Sequence, residues 1–203
     1  MSDKEHLAMG KVLTHMTMSL DGYIADLHDR VDHIFDWYSA GDVAMQTANK
    51  DVSFKVDEAS AEMLRDLIGT TGALISGRRL FDITNGWGDN HPAAPRVVVV
   101  THRPPVDAAE KWPKTTFVGS VESAVSRARE IAGDKNVVIA SANIIQQALD
   151  LGLVDEVCIS LAPVLLGDGI PYFSKLARGH QLLDDPAVVQ GHRALHLRYQ
   201  VRR

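Results

Sequence analysis

Two adjacent arginines, Arg78 and Arg79, are the first residues whose position suggests chemistry. They follow a short apolar run, Ala73–Ile75, which ends at Ser76-Gly77, and this order predicts a buried strand that leads into a helix. A helix N-terminus presents free N–H groups and a partial positive charge, so cations there are unfavourable unless an anion offsets them. The pair therefore indicates an anionic ligand, most simply a phosphate. The alternative is that both are solvated surface arginines.

A second strand ends in a similar polar group. Residues 96–101 contain four consecutive valines, typical of a central parallel strand buried on both faces. Thr101, His102 and Arg103 follow, and Pro104-Pro105 stop the strand. A hydroxyl, an imidazole and a guanidinium at this strand end would suit a ribose phosphate held from two sides. The simpler interpretation is a polar strand end.

The first predicted strand, residues 11–18, runs into a loop with its own candidate residues. Asp21-Gly22 marks a tight turn, and Tyr23 and Ile24 give the loop apolar surface to bury. The loop is either a structural corner or a segment that closes over a ligand. Because open α/β sheets bind ligands at the carboxyl ends of their strands, we favour the second interpretation. Trp87, between two glycines, either needs a burial partner or lines a pocket.

The remaining pattern alternates strands with amphipathic helices, which predicts an α/β fold with a mixed, mainly parallel sheet flanked by helices. Residues 190–201 alternate apolar and polar side chains, which predicts a strand with one solvent-exposed face and therefore antiparallel C-terminal strands. We expect residues 1–9 to be a disordered lead-in and residues 10–203 to form one domain. Further predicted elements are helices over 57–68, 121–132 and 144–151, strands over 137–140 and 157–162, and a short helix over 171–175.

The composition limits the classes of partner that the protein is expected to bind. The 203 residues are 45% hydrophobic and 23% charged, with a formal net charge of −5 and scattered basic residues, which argues against a nucleic-acid or membrane surface. The one cysteine, Cys158, excludes an internal disulfide and a Cys-rich zinc site and fits a reducing cytoplasm. Aspartates and histidines over residues 26–36 fit no clean ligand geometry, so we predict no metal.

The order of these motifs resembles the dihydrofolate reductase-like proteins related to the C-terminal reductase domain of bacterial riboflavin biosynthesis. The resemblance rests on residues 19–25, 77–82, 86–88, 99–103 and 152–169. It implies a dihydrofolate reductase-like fold, NADPH as the reductant, and a homodimer. It also implies that Gly77, Arg78 and Arg79 receive a cofactor phosphate, that Thr101, His102 and Arg103 lie near the adenosine 2′-phosphate, that Asp21 belongs to a lid over the nicotinamide, and that residues 163–169 form a wall of the substrate side.

The chain departs from the family pattern after the predicted strand 137–140. The family carries glycines there, whereas this chain has Ala140, Ser141, Ala142 and Asn143. Each Cβ narrows the approach to a pyrophosphate, and a residue with positive φ is strained there unless it is Asn143. Ser141 and Asn143 are still able to donate to phosphate oxygens, and we expect Asn143 to cap the next helix. The chain also lacks the zinc motif of the deaminase half and a clear match to the acid of dihydrofolate reductase.

These features predict a cytoplasmic NADPH-dependent reductase acting on a small planar molecule. Asp21 is our first candidate for proton delivery and Tyr23 the second. The substrate side is predicted to include Trp87, Leu165, Leu166 and Gly167. The motif set favours a ribosylaminopyrimidine such as 5-amino-6-(5-phosphoribosylamino)uracil over dihydrofolate. The competing hypothesis is a non-catalytic nucleotide-binding protein with a degenerate glycine loop, and only residues 140–143 support it.

Overall fold

The computed structural model describes residues 10–203; the predicted lead-in, residues 1–9, lies outside the described residues. The strands are β1 (Val12–Ser19), β2 (Tyr23–Ala25), β3 (Val43–Gln46), β4 (Ser53–Val56), β5 (Thr71–Gly77), β6 (Val97–Val100), β7 (Thr115–Val118), β8 (Asn136–Ala140), β9 (Glu156–Ala162), β10 (Ile170–Pro171), β11 (Ala187–Gln190) and β12 (Leu195–Gln200). The α-helices are α1 (Glu58–Thr70), α2 (Arg78–Ile83), α3 (Ala108–Lys111), α4 (Val121–Ala132) and α5 (Ala142–Asp150), and 3₁₀ helices span Asp32–Ser39 and Asn85–Asp89.

Eight strands form one mixed sheet in the order β11-β12-β9-β1-β8-β5-β6-β7. The six strands from β9 to β7 run parallel, while β12 pairs antiparallel with β9 and β11 pairs antiparallel with β12. The predicted fold class, a mainly parallel sheet with antiparallel C-terminal strands, is therefore confirmed. Short βα units place the carboxyl ends of the parallel strands at one edge of the sheet.

Successive side chains of each strand point to opposite faces, so the sheet has two cores. Val12 of β1 belongs to the larger core, which packs against α4 and α5. Leu13, the next residue, belongs to the other face together with Phe81 of α2. Further along that second face, α1 and the 3₁₀ helix containing Trp37 form a third cluster.

The C-terminal part differs from the sequence prediction in two places. Residues 190–201 do not form one strand, because Gly191 donates its N–H to the carbonyl of Ala194 at 3.0 Å and turns the chain between β11 and β12. Residues 171–175 form no helix. Pro171 ends β10, which pairs with β2, and the buried Tyr172 bonds the Thr14 hydroxyl and the Cys158 carbonyl, both at 3.0 Å. These tertiary contacts fix the segment in a non-helical conformation.

Candidate functional site

The candidate residues from separate parts of the chain lie at one edge of the sheet. Parallel strands end at Ala162 of β9, Ser19 of β1, Ala140 of β8, Gly77 of β5 and Val100 of β6. The predicted loop residues follow these five ends directly. The sheet topology therefore brings the two arginine-bearing strand ends and the substituted glycine loop onto neighbouring strands.

The loop after β8 touches the end of β5. The backbone N–H of Gly77 donates to Oγ of Ser141 at 3.0 Å, and a Cβ at Gly77 would lie 3.2 Å from Cγ1 of Ile144. Ser141 has φ 117° and ψ 115° and is the N-cap residue of α5. The positive φ of this loop therefore falls on Ser141, one of the residues for which the sequence predicted that a positive φ is strained.

Asn143 does not cap α5, contrary to the sequence prediction. The helix begins one residue earlier, at Ala142, so Asn143 lies within its first turn. Its side-chain oxygen accepts a hydrogen bond from Nε2 of Gln147 at 2.8 Å. The cap residue Ser141 makes no side-chain capping bond, because its hydroxyl already bonds Gly77. Free N–H groups therefore remain at the start of α5, next to Gly77.

Arg78 connects the ends of β5 and β6. Its Nε donates to both carboxylate oxygens of Asp82, at 2.7 and 2.9 Å, and its Nη1 donates to the backbone carbonyl of Arg103. The N–H of Arg103 in turn donates to Oγ1 of Thr101 at 3.1 Å. Arg103 and His102 are exposed side chains beside this junction. A guanidinium carries five N–H donors, so these bonds leave some available to an anion.

Arg79 has a different environment. Its exposed guanidinium donates through Nε and Nη2 to Oδ2 of Asp29, at 3.1 and 2.7 Å. The hydrogen bond and the charge of Asp29 raise the pKa of Arg79 further above its ordinary value. The ion pair ties α2 to the loop before the first 3₁₀ helix. Asp29 offsets the charge of Arg79 as Asp82 offsets that of Arg78, and the phosphate roles of both arginines stay predictions.

Asp21 holds two loops together on the other side of the edge. Its carboxylate accepts hydrogen bonds from Oγ of Ser19 at 2.6 Å, from the N–H of Leu166 at 3.1 Å and from the N–H of Gly167 at 2.7 Å. The Ser19 hydrogen bond, with the two backbone N–H groups, holds the pKa of Asp21 below its usual value. An ionised carboxylate with three donors suits a loop clamp better than a proton donor, and the catalytic role of Asp21 stays a prediction.

The other predicted substrate-side residues lie near this clamp or have partners of their own. Tyr23 donates its backbone N–H to Ser19 at 2.9 Å, and its hydroxyl has no hydrogen-bond partner within residues 10–203. Leu165 is 68% exposed at the tip of the loop. Trp87 is half-buried, with its ring 4.6 Å from that of His91 in an edge-to-face arrangement. Trp87 therefore has a burial partner, and its place in a substrate pocket stays a prediction.

Sequence reasoning missed three residues that shape this edge. Asp82 was detectable, because it lies four residues after Arg78 on a predicted helix and such pairs face each other. Ser19 precedes the Asp21-Gly22 turn by two residues, a spacing typical of local side-chain bonds. Asp29 lies 50 residues from Arg79, and no local pattern in the sequence indicates that contact.

The comparisons with known proteins agree with this fold. Residues 10–182 match the family of RibD C-terminal domains. A protein from Shewanella sp. PV-4 whose name refers to riboflavin biosynthesis has 22% identity and a TM-score of 0.69, with 95% of this chain and 99% of that chain covered. RibD from Acinetobacter baumannii has 16% identity and a TM-score of 0.59; the match covers 96% of this chain but spans only 58% of that one.

A third solved structure is similar over nearly all of both chains. Dihydrofolate reductase from Enterococcus faecalis, complexed with NADP(H) and RAB-propyl, has 15% identity and a TM-score of 0.56, with 96% of this chain and 98% of that chain covered. At these identities the structural likeness shows the fold alone. No curated protein matches the chain significantly. Within residues 10–203, every helix is too short or too polar to cross a bilayer.

Proposed function

Because the chain belongs to the RibD C-terminal domain family, we propose that it is an NADPH-dependent reductase. The proposed substrate is a small planar molecule of the ribosylaminopyrimidine type, such as 5-amino-6-(5-phosphoribosylamino)uracil. The observation that carries the proposal is the junction at neighbouring strand ends, where Arg78 bonds the Arg103 carbonyl and Ser141 bonds Gly77. Cationic, hydroxyl and free backbone N–H groups meet there, a combination that suits a phosphorylated dinucleotide.

The charges of the residues at this edge suit such a cofactor, but access to the backbone is narrow at one point. In the proposal, Thr101, His102 and Arg103 hold the adenosine 2′-phosphate, and Ala140–Asn143 with Gly77 hold the pyrophosphate beside the N-terminus of α5. The narrow point is Ser141, whose Oγ accepts the Gly77 N–H that would otherwise face a phosphate oxygen. In the proposal, a rotation of the Ser141 side chain frees that N–H for the phosphate. When bound, NADPH would supply the hydride.

The chain's own contribution on the substrate side is to position the substrate and exclude water. In the proposal, Leu165, Leu166 and Gly167 form one wall, which Asp21 holds in place through two backbone N–H groups. Trp87 closes the opposite rim. Tyr23 is the freer of our two candidates for proton delivery, since its hydroxyl has no partner within the described residues, whereas the Asp21 oxygens already accept three bonds.

A titration with NADPH and with NADH, followed by nucleotide fluorescence, tests the cofactor assignment. We expect NADPH to bind more tightly, and Arg103→Ala to weaken NADPH about tenfold while leaving NADH unchanged, because only NADPH carries the 2′-phosphate. Arg96→Ala is the matched control: Arg96 is also an exposed arginine but lies before the opposite end of β6. Equal loss of NADPH affinity in both variants, or no preference between the nucleotides, would contradict the assignment.

Two other functions are separated by assays on the same protein. The Enterococcus faecalis enzyme shares this fold, so dihydrofolate reductase-type activity is one alternative, and NADPH oxidation with dihydrofolate instead of the aminopyrimidine detects it. The substituted glycine loop over residues 140–143, with the strained Ser141, favours a non-catalytic nucleotide-binding protein. That protein would bind the nucleotide without oxidising it in the presence of either substrate. We further propose a homodimer, which light scattering after size-exclusion chromatography checks.

A further inference from the structure

A cavity of about 280 Å³ lies away from the strand ends, on the sheet face that α1 covers. Apolar side chains from α1 and the central strands line most of it, including Leu13, Met63, Leu67 and the Cys158 thiol. Burial raises the pKa of Cys158 to about 12, so the thiol is neutral and behaves as part of the apolar lining. The volume is roughly twice that of an engineered cavity known to hold benzene, ~150 Å³, so one or two fused rings fit.

A chain of hydrogen bonds starts in this cavity and ends at the N-terminus of α1. Nε2 of His15 lies 3.2 Å from Oγ of Ser160, and the same oxygen lies 2.9 Å from Nδ1 of His196. Nε2 of His196 lies 3.0 Å from Oγ of Ser60, which donates to Oδ2 of Asp57 at 2.6 Å. Five side chains from α1, β1, β9 and β12 thus form one continuous path.

The terminal carboxylate determines the direction of every bond in the path. Burial works against ionisation of Asp57, but hydrogen bonds from Ser60 and the backbone lower its pKa, so it accepts the Ser60 proton. Ser60 then accepts from Nε2–H of His196, whose Nδ1 must accept from Ser160. The hydroxyl of Ser160 in turn accepts from Nε2–H of His15.

Both imidazoles carry a single ring proton, so each ring has one donor nitrogen and one acceptor nitrogen. Desolvation lowers the pKa of His15 and of His196 to about 4, and the nearby His196 also contributes to the lowered pKa of His15. Both rings are therefore neutral at pH 7. With its proton on Nε2, His15 has a lone pair on Nδ1. Within residues 10–203 that atom has no hydrogen-bond partner, and His15 lines the cavity. His15 is half-buried, and an acceptor in a mainly apolar cavity favours a ligand that donates a hydrogen bond.

We propose that this cavity is a small-molecule site for a planar, one- or two-ring apolar compound with one hydroxyl or N–H group directed at Nδ1 of His15. The apolar walls supply affinity, and the acceptor on His15 supplies orientation and specificity. This site is separate from the strand-end edge, since its lining residues come from the face of the sheet beneath α1 and from the hairpin β11–β12. It does not depend on the proposed reductase function.

Three two-ring probes of similar size test the proposal by calorimetry: 2-naphthol donates a hydrogen bond, 2-methylnaphthalene has no polar group, and isoquinoline only accepts. We expect 2-naphthol to bind about 3–10-fold more tightly than 2-methylnaphthalene, and isoquinoline to bind most weakly. Ser160→Ala removes the group that fixes the His15 tautomer, so the preference of 2-naphthol over isoquinoline should fall toward 1. The ion pair of Asp66 with Arg198 also lines the cavity, and Asp66→Asn should leave the preference unchanged.

Nitrogen NMR of the histidine rings provides a second measurement that needs no variant. We expect both His15 and His196 as Nε2–H tautomers in the free protein, with the Nδ1 signal of His15 shifting when 2-naphthol binds. A proton on Nδ1 of His15, equal affinity for the three probes, or a preference that Asp66→Asn abolishes would each overturn the proposal. Circular dichroism checks that Ser160→Ala folds; if it does not, the wild-type ranking and the NMR tautomers still decide.

Discussion

Replacing Ser141 tests both the backbone strain and the proposed cofactor edge. Ser141 combines a positive φ of 117° with a hydroxyl that accepts the N–H of Gly77 at 3.0 Å. Ser141→Ala removes the hydroxyl but keeps the Cβ and the strain. Ser141→Gly removes both. The two variants therefore separate the contribution of the hydrogen bond from that of the backbone conformation.

The effect on stability follows from three terms. An L-residue in a sparsely populated φ/ψ region costs about 1–3 kcal/mol, a net hydrogen bond is worth about 0.5–1.5 kcal/mol, and glycine costs about 0.5–1 kcal/mol through the unfolded chain. Ser141→Ala should therefore lower the free energy of unfolding by about 1 kcal/mol. Ser141→Gly should leave it nearly unchanged, about 1 kcal/mol above the alanine variant, which corresponds to about 2–4 °C in Tm for a chain of this size.

The same two variants should also change the affinity for NADPH, because the Ser141 hydroxyl occupies a backbone donor that a phosphate would otherwise use. Removal of the hydroxyl frees the Gly77 N–H, and a hydrogen bond from a backbone N–H to a charged phosphate is worth about 1.5–3 kcal/mol. If the phosphate reaches it, Ser141→Gly should bind NADPH about 10–100-fold more tightly. Ser141→Ala should gain less, because its Cβ still narrows the approach to α5.

Thermal melting and NADPH fluorescence titration of the three proteins provide the decisive comparison. Equal melting temperatures for the alanine and glycine variants would refute the strain at Ser141. An unchanged NADPH affinity in both variants would refute contact between this strand end and the cofactor, whatever the melting temperatures.

The remaining predictions concern stability, pH and the substrate loop. Glu156 is 1% exposed and bonds three side chains. Glu156→Gln should lower the free energy of unfolding in urea by about 2 kcal/mol. The expected loss is smaller than the ~3–5 kcal/mol of fully buried pairs because the two cationic partners of Glu156 are half-exposed. An unchanged free energy of unfolding would contradict its structural role. The pKa of His15 and of His196 is lowered to about 4, so the unfolded chain binds more protons between about pH 4 and pH 6.5. Stability should be complete above about pH 6.5 and fall as the pH drops toward 4, with a shallower fall in His15→Leu; a pH-independent free energy of unfolding would show that these rings are not buried. Asp21→Asn should raise KM for the substrate and leave the Kd of NADPH unchanged, whereas loss of the alkaline limb in the pH profile of kcat would make Asp21 the proton donor instead.

Local patterns in the sequence were sufficient for the fold class and for the location of the candidate edge. The valine run over residues 97–100 predicted a central strand and the tight turn at Asp21-Gly22 predicted a strand end, because each depends on residues close together in the chain. The same patterns placed Arg78 and Arg103 at the ends of strands. Parallel topology then makes those ends neighbours, which is why a sequence argument was able to group them.

Contacts between distant segments depended on the tertiary structure. The bond between Asp29 and Arg79 spans 50 positions, and the bonds of Asp21 to Leu166 and Gly167 span 145 and 146. The path from His15 to Asp57 likewise depends on bonds that span 145 and 136 positions. No local periodicity encodes which side chains meet across a sheet face. The sequence indicated that a positive φ in residues 140–143 is strained unless it falls on Asn143, and only the structure showed that it falls on Ser141.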